Sequence, residues 1–166
     1  FLKDFLIITG GPGTGKTTII QGVLELFRIA GKLSYEKLFE KVALLAPTGR
    51  AAKRMSEATN FPASTIHRFL KWNKETNTFM VNSNNKSDVD FVIIDEVSMI
   101  DTILLDNLLK GLKKDVKIVM IGDYNQLESV VPGKVLKDLI DIKQTIEEKT
   151  SGNVYAVLNF DYVKPF

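Results

Sequence analysis

The sequence predicts an α/β fold with a mainly parallel sheet flanked by helices, and three observations carry that prediction. Short runs of β-branched and aliphatic residues, Phe5 to Ile8, Val42 to Ala46, Phe91 to Ile94 and Val116 to Ile121, alternate with helical patterns. A glycine-rich stretch, Gly10 to Thr17 reading GGPGTGKT, joins the first of these runs to a helix-like segment. Gly10, Pro47, Asp95 and Gly122 each follow a predicted strand. In a parallel sheet those four positions share one edge, the edge on which open α/β sheets bind their ligands.

Taken in chain order, the first strand leads through the glycine loop into a helix over Lys16 to Ala30. Ser34 to Glu40 reads as a short helix inserted before the second strand, and Gly49 to Thr59 as the helix after it. A further helix is expected over Ser64 to Trp72 with Ser64 as N-cap, and others over Asp101 to Leu112, capped by Asp101, and over Gly133 to Asp141. Asn73 to Asp90 is polar, contains NSNNKSD and lacks periodicity apart from Phe79 to Val81, so it reads as a loop or short hairpin. Thr150 to Phe166 is a strand-like tail. The expected organisation is one nucleotide-binding domain over 1–149 and this tail over 150–166.

The composition is that of an ordinary globular domain, with 166 residues, 45% hydrophobic and 25% charged. No run approaches the roughly 18 apolar residues of a membrane span. No secretory pattern opens the chain, and the absence of cysteine excludes disulfide frameworks and thiolate metal sites. A soluble, cytoplasmic protein without membrane partners is the expectation. The start at Phe1 and the stop at Pro165-Phe166 suggest a piece of a longer chain. The net charge of +2 is too small to argue for nucleic acid, but all four arginines precede residue 69. Arg50, Lys53, Arg54, Arg68, Lys71 and Lys74 form a candidate basic surface.

The glycine loop matches GxxxxGKT in its required strand-to-helix context, which makes it a nucleoside-triphosphate site. The backbone from Gly11 through Thr18, a stretch of Pro12, Gly13, Thr14 and Gly15 leading to Lys16 and Thr17, can curl around phosphates with the N–H groups of every residue but Pro12. Lys16 reaches the outer phosphates, Thr17 offers a hydroxyl to Mg²⁺, and the helix N-terminus adds its positive end. The run FVIIDE then sets two carboxylates at a buried strand end, where an unpaired charge is costly unless it meets a cation. Asp95 suits the metal, and Glu96 suits a base or positioning group for water. In GDYNQL, Gln126 carries an amide able to contact both phosphate and water, while Asp123 reads equally as an Asx turn or as part of the metal shell. In APTGRAAKRM, the turn of Pro47, Thr48 and Gly49 beside Arg50 exposes phosphate-contact groups. STIHRFLKW adds Thr65, His67, Arg68 and Trp72, a set of donors, charge and aromatic surface suited to single strands.

The ordered set GGPGTGKTT, APTGRAAKRM, STIHRFL, VIIDEVSMID and GDYNQLESVVPGKVLKDLI resembles the first motor domain of RecD-like DNA helicases, from about Phe5 to Ile140. The resemblance implies a RecA-like P-loop NTPase fold and a superfamily-one helicase moving 5′ to 3′ on single-stranded DNA. It implies ATP and Mg²⁺ as cofactors and a second RecA-like domain in the parent, with recombination and repair proteins as further partners. By resemblance Lys16 and Thr17 match the loop lysine and metal hydroxyl, and Asp95 and Glu96 the metal and water-activating acids. Gln126 matches the γ-phosphate sensor, and Pro47, Thr48, Gly49, Thr65 and His67 match strand-contacting motifs; Trp72 stays unassigned. The family's later motifs, arginine fingers included, have no counterpart here, and no arginine follows Arg68. Such an arginine contributes about 10³ to 10⁵ in rate in P-loop enzymes. The rival readings are a DNA-independent P-loop ATPase or small-molecule kinase, and a nucleotide-gated binding module.

Overall fold

Among the described residues six strands pair side by side and all in parallel, in the order 63–65, 42–46, 91–94, 117–122, 5–9 and 155–159. The computed structural model describes residues 4–11, 13–123, 135–141 and 155–159. In chain order these comprise β1 (Phe5–Thr9), α1 (Lys16–Ala30), α2 (Tyr35–Lys41), β2 (Val42–Ala46), α3 (Gly49–Thr59), β3 (Ala63–Thr65) and α4 (Ile66–Phe69). A two-stranded hairpin of β4 (Trp72–Asn73) and β5 (Thr78–Phe79) follows. Then come β6 (Phe91–Ile94), a 3₁₀ turn (Val97–Met99), α5 (Thr102–Gly111), β7 (Lys117–Gly122), α6 (Val135–Asp141) and β8 (Tyr155–Asn159). The α/β, RecA-like arrangement expected from the sequence is therefore present.

Strands covered on both faces carry near-continuous apolar runs, and successive side chains alternate between the faces. Ile7, Leu45, Val92, Ile94 and Met120 pack on one side with Ile66 and Leu70, with Leu105 and Leu108 of α5 and with Leu136 of α6. Ile8, Leu44, Phe91, Ile93 and Ile121 pack on the other with Ile20 and Leu24 of α1, Leu38 of α2 and Met55 of α3. The β6 run FVII is buried at all four positions, so the strand leading to Asp95 lies deep in the molecule.

Local chemistry sets the helix boundaries. The Ser34 hydroxyl accepts from Lys37 N–H at the start of α2, Thr48 from Ala51 N–H at the start of α3, and Asp101 from Leu104 N–H at the start of α5. Asn60, at φ 53°, ends α3 in the left-handed conformation that asparagine tolerates.

The helix expected over Ser64 to Trp72 is shorter than its pattern suggested. Ala63–Thr65 instead extends the sheet beside Leu44–Ala46, and Thr65, not Ser64, is the cap, accepting from Arg68 N–H. Ile66 and Leu70 are fully buried, so their i,i+4 spacing does mark a helical turn. The turn ends because Lys71 sits at φ 53° and Trp72 pairs with Phe79 across the hairpin. The polar segment read as a loop or short hairpin is thus a hairpin that begins one residue early. Five residues of the strand-like tail form β8, in register with β1 from Phe5–Tyr155 to Thr9–Asn159.

Ile66 anchors α4 while His67 and Arg68 project from it exposed. Ile66→Ala is expected to cost about 2–5 kcal/mol in chemical denaturation. Arg68→Ala should stay within about 0.5 kcal/mol. Equal effects would contradict the described packing of this turn.

Candidate functional site at the carboxyl edge of the sheet

Because the strands are parallel, their carboxyl ends line up, and the strand order fixes which groups are neighbours. Along the edge stand, in turn, Thr65 as the last residue of β3 with His67 beyond it, Pro47 to Arg50 after β2, Asp95 and Glu96 after β6, Asp123 after β7 and the glycine loop after β1. Two backbone bonds tie the ends together: Asp95 N–H donates to the Leu45 carbonyl at 2.9 Å, and Gly10 N–H to that of Gly122 at 3.3 Å. Gly122 lets the Leu136 side chain approach the end of β7 closely. A Cβ there would stand 2.8 Å from Leu136 Cδ2 and 3.6 Å from the Val97 and Ser98 nitrogens.

The loop is shaped by two left-handed glycines, Gly13 at φ 77° and Gly15 at φ 79°. Gly15 caps α1 without a side-chain bond, and the first turn of α1 contains no acid. Its first N–H groups therefore face outward with the positive end of the helix. The Thr14 hydroxyl donates to the Gly11 carbonyl at 2.9 Å. The Lys16 ammonium donates to the Gly10 and Gly11 carbonyls, both at 2.6 Å, folding back over the loop. Thr17 and Thr18 are exposed in the first turn of the helix.

Burial is the largest influence on Asp95 and pushes its carboxyl above the usual aspartate range. The Glu96 N–H, donating to Asp95 Oδ1 at 2.9 Å, opposes that rise. The Glu96 charge adds to it, and the Lys16 and Arg54 cations offset part of it. Glu96 itself sits at φ 54° and ψ 40°, a conformation that costs a side-chain-bearing residue roughly 1–3 kcal/mol. Backbone strain of this size concentrates at functional positions. The Glu96 carboxylate accepts from Arg54 Nη2 of α3 at 2.6 Å, and Arg54 remains 63% exposed. Taken within its own segment, Arg54 reads only as part of a basic helix face. The adjacency of β2 and β6, which brings α3 to the end of β6, is the signal that a local reading lacks.

On the other flank, Thr48 and Thr65 use their oxygens as helix caps, at 3.2 Å from Ala51 N and 3.1 Å from Arg68 N. Each retains its O–H as a donor. Gly49 and Arg50 are exposed at the start of α3. His67 is exposed beside Trp72 and Phe79, with ring centroids 6.4 and 5.8 Å away. Trp72, 4.7 Å from Phe79 and 36% exposed, lies at the rim.

These groups suit a magnesium-bound nucleotide. The cradle is open at Gly13 and Gly15, where a Cβ would meet nothing within 4 Å, and this leaves space for phosphate oxygens. An ammonium bonded to its own loop carbonyls can transfer to those oxygens. Among the described residues no group of three or more His, Cys, Asp or Glu could hold a metal by itself. Mg²⁺ takes one or two protein ligands plus phosphates and waters, so it does not require such a group. Pro12 and Gln126, both expected at the nucleotide, lie outside the described residues. No helix among the described residues is long and apolar enough to cross a membrane.

Asp95 also gives the fold a pH dependence. With its carboxyl raised in the fold, the native state holds a proton that the unfolded chain has already released. Stability therefore falls as pH climbs from about 4 through the raised value. Asp95→Asn is expected to raise stability at pH 7, and the gain should vanish below about pH 4, as measured by urea denaturation. A loss of stability at pH 7 would contradict the assigned burial effect.

The chain is similar to known proteins along most of its length. The family model described as AAA domain matches residues 1–132. The chain is 38% identical over 154 residues to the RecBCD enzyme subunit RecD of Buchnera aphidicola, covering 82% of this chain and 25% of that protein. It is 37% identical over 142 residues to the ATP-dependent RecD2 DNA helicase of Deinococcus radiodurans, covering 86% of this chain and 18% of that one. It thus spans about a quarter or less of the length of these relatives. The fold is shared with a Pif1 helicase from Bacteroides at a TM-score of 0.60 and 20% identity, over 99% of this chain and 40% of that one. The chain belongs to the AAA domain family and is RecD-like within it.

Proposed function

We propose that this chain is the ATP-hydrolysing motor domain of a DNA helicase, coupling Mg-ATP hydrolysis to 5′ to 3′ movement on single-stranded DNA. The observation that carries the reading is the order along the sheet edge. Asp95 and Glu96 stand between the phosphate-loop side and the turns of Pro47 to Arg50 and Thr65 to His67. A nucleotide-dependent change at the carboxylates therefore has a direct route to groups suited to a DNA backbone.

Residues 1–149 form the motor in this reading. The Gly11 to Thr18 backbone and Lys16 hold the phosphates, with Thr17 and Asp95 as metal ligands and Gln126 as the γ-phosphate sensor. When bound, Mg-ATP supplies an electrophilic phosphorus whose charge the metal helps to spread. Glu96 orients a water and takes its proton at a carboxylate oxygen. Pro47, Thr48, Gly49, Arg50, Thr65 and His67 hold the DNA strand. A second RecA-like domain of the complete protein supplies the opposing jaw and an arginine toward the nucleotide. Recombination and repair proteins, like the RecBCD enzyme to which the RecD relatives belong, are its natural partners.

ATP hydrolysis by the complete protein, with and without single-stranded DNA, tests the proposal. Strong stimulation by DNA is expected, and its absence would favour a DNA-independent ATPase. Lys16→Ala should remove hydrolysis while DNA binding is retained. Glu96→Gln should lower turnover by about 10² to 10⁴ with nucleotide binding intact, whereas near-normal turnover would sink the assignment.

A further inference from the structure

We infer that Arg54 is a shared cation, exchanged between the Glu96 carboxylate and a phosphodiester of the DNA strand, so that DNA binding frees Glu96 for water. The inference rests on the motor reading above and assigns to Arg54 the positioning of the proposed base.

Three features of the molecule support the exchange. The pair is close, at 2.6 Å, yet its guanidinium is 63% exposed while Glu96 is only 23% exposed. The accessible partner is thus the arginine, and a second anion can approach it without displacing packed side chains. Arg50 stands four residues earlier on α3 and is also exposed, which sets two guanidinium groups on one helix face one turn apart. That face starts at the Thr48 and Gly49 turn, where α3 has no acid in its first turn. Arginine forks bind carboxylate and phosphate with the same planar geometry, so phosphate is the natural competitor for a carboxylate-bound guanidinium.

While bonded to Arg54, Glu96 has one carboxylate oxygen occupied by the guanidinium, so that oxygen is not open to accept from a water. Its backbone, held at φ 54°, keeps the side chain aimed from the end of β6 toward α3. A phosphodiester lying across Arg50 and Arg54 draws the guanidinium away, and the carboxylate becomes available as a base. No new bond to Glu96 is needed, because the exchange replaces one anion by another on Arg54. Futile turnover without DNA is restrained by the same contact.

The test is a double-mutant cycle on single-stranded DNA affinity of the complete, nucleotide-free protein, read by fluorescence anisotropy of a labelled oligonucleotide. Glu96→Gln should tighten DNA binding roughly two- to five-fold, the range of an exposed ion pair, because Arg54 no longer has a competing carboxylate. Arg54→Ala should weaken binding several-fold and reduce the salt dependence by about one counterion. In the Arg54→Ala background, Glu96→Gln should leave DNA affinity unchanged. An equal tightening in both backgrounds would overturn the exchange, since it would report only the removal of a negative charge. Turnover provides a second readout. Arg54→Ala should raise DNA-free ATP hydrolysis several-fold and bring the stimulation ratio toward one, and Arg54→Lys should fall between Arg54→Ala and the unmodified protein. A complete protein that binds no single-stranded DNA would overturn the motor reading and the exchange together. DNA-stimulated turnover that Arg54→Ala leaves unaltered would overturn the exchange alone.

Discussion

Parallel pairing is the constraint on which the rest of this molecule depends. The six strands among the described residues run the same way, so the chain must return to the same starting side before each new strand begins, and a helix stands between each successive pair. The two apolar clusters, one on each face, follow from that requirement. So does the site, because the same rule delivers every strand's carboxyl end to one edge. There the chain leaves regular pairing, and its polar side chains meet without interrupting the core.

The strand order gives that edge its meaning. The glycine loop after β1 and the polar turns after β2 and β3 would lie on separate surfaces if their strands lay far apart. With β6 between β2 and β7, the acidic pair lies within reach of both flanks. Asp95 is joined through its backbone to Leu45 of β2, and Glu96 through its side chain to Arg54 of α3. Lys16 acts on Asp95 electrostatically from the other side. The carboxylates are thus held by both halves of the site, one kept above its usual protonation range by burial and the other in a strained backbone conformation.

Much of this is legible in the sequence, for reasons that can be named. Strands buried on both faces are written as unbroken apolar runs, and FVII of β6 is one such run. The glycine loop announces its own conformation, since only residues without a Cβ readily take the φ of Gly13 and Gly15. Asp101 and its helix are readable from cap chemistry alone. The Ser64 to Trp72 segment is not, because three residues are too few to show a strand's period, and Ile66 with Leu70 supply a genuine helical spacing next to it. Arg54 escapes for a different reason. Its partner is 42 residues away, and only the lateral order of strands, which no local pattern encodes, brings the two together.

The pairing of β1 with β8 has a consequence for how the protein comes to exist. The strand that carries the glycine loop is interior to the sheet, yet both of its neighbours come from far down the chain, with Phe5 opposite Ile118 on one side and Tyr155 on the other. As a ribosome releases the polypeptide, β2, β3 and β6 can associate first, while the glycine loop, made before them, has no strand to rest on. Contacts of such long sequence separation form late, since the chain must close large loops to make them. The glycine loop is thus synthesised ahead of the later strands of this sheet, while the strand that carries it is framed among the last of them.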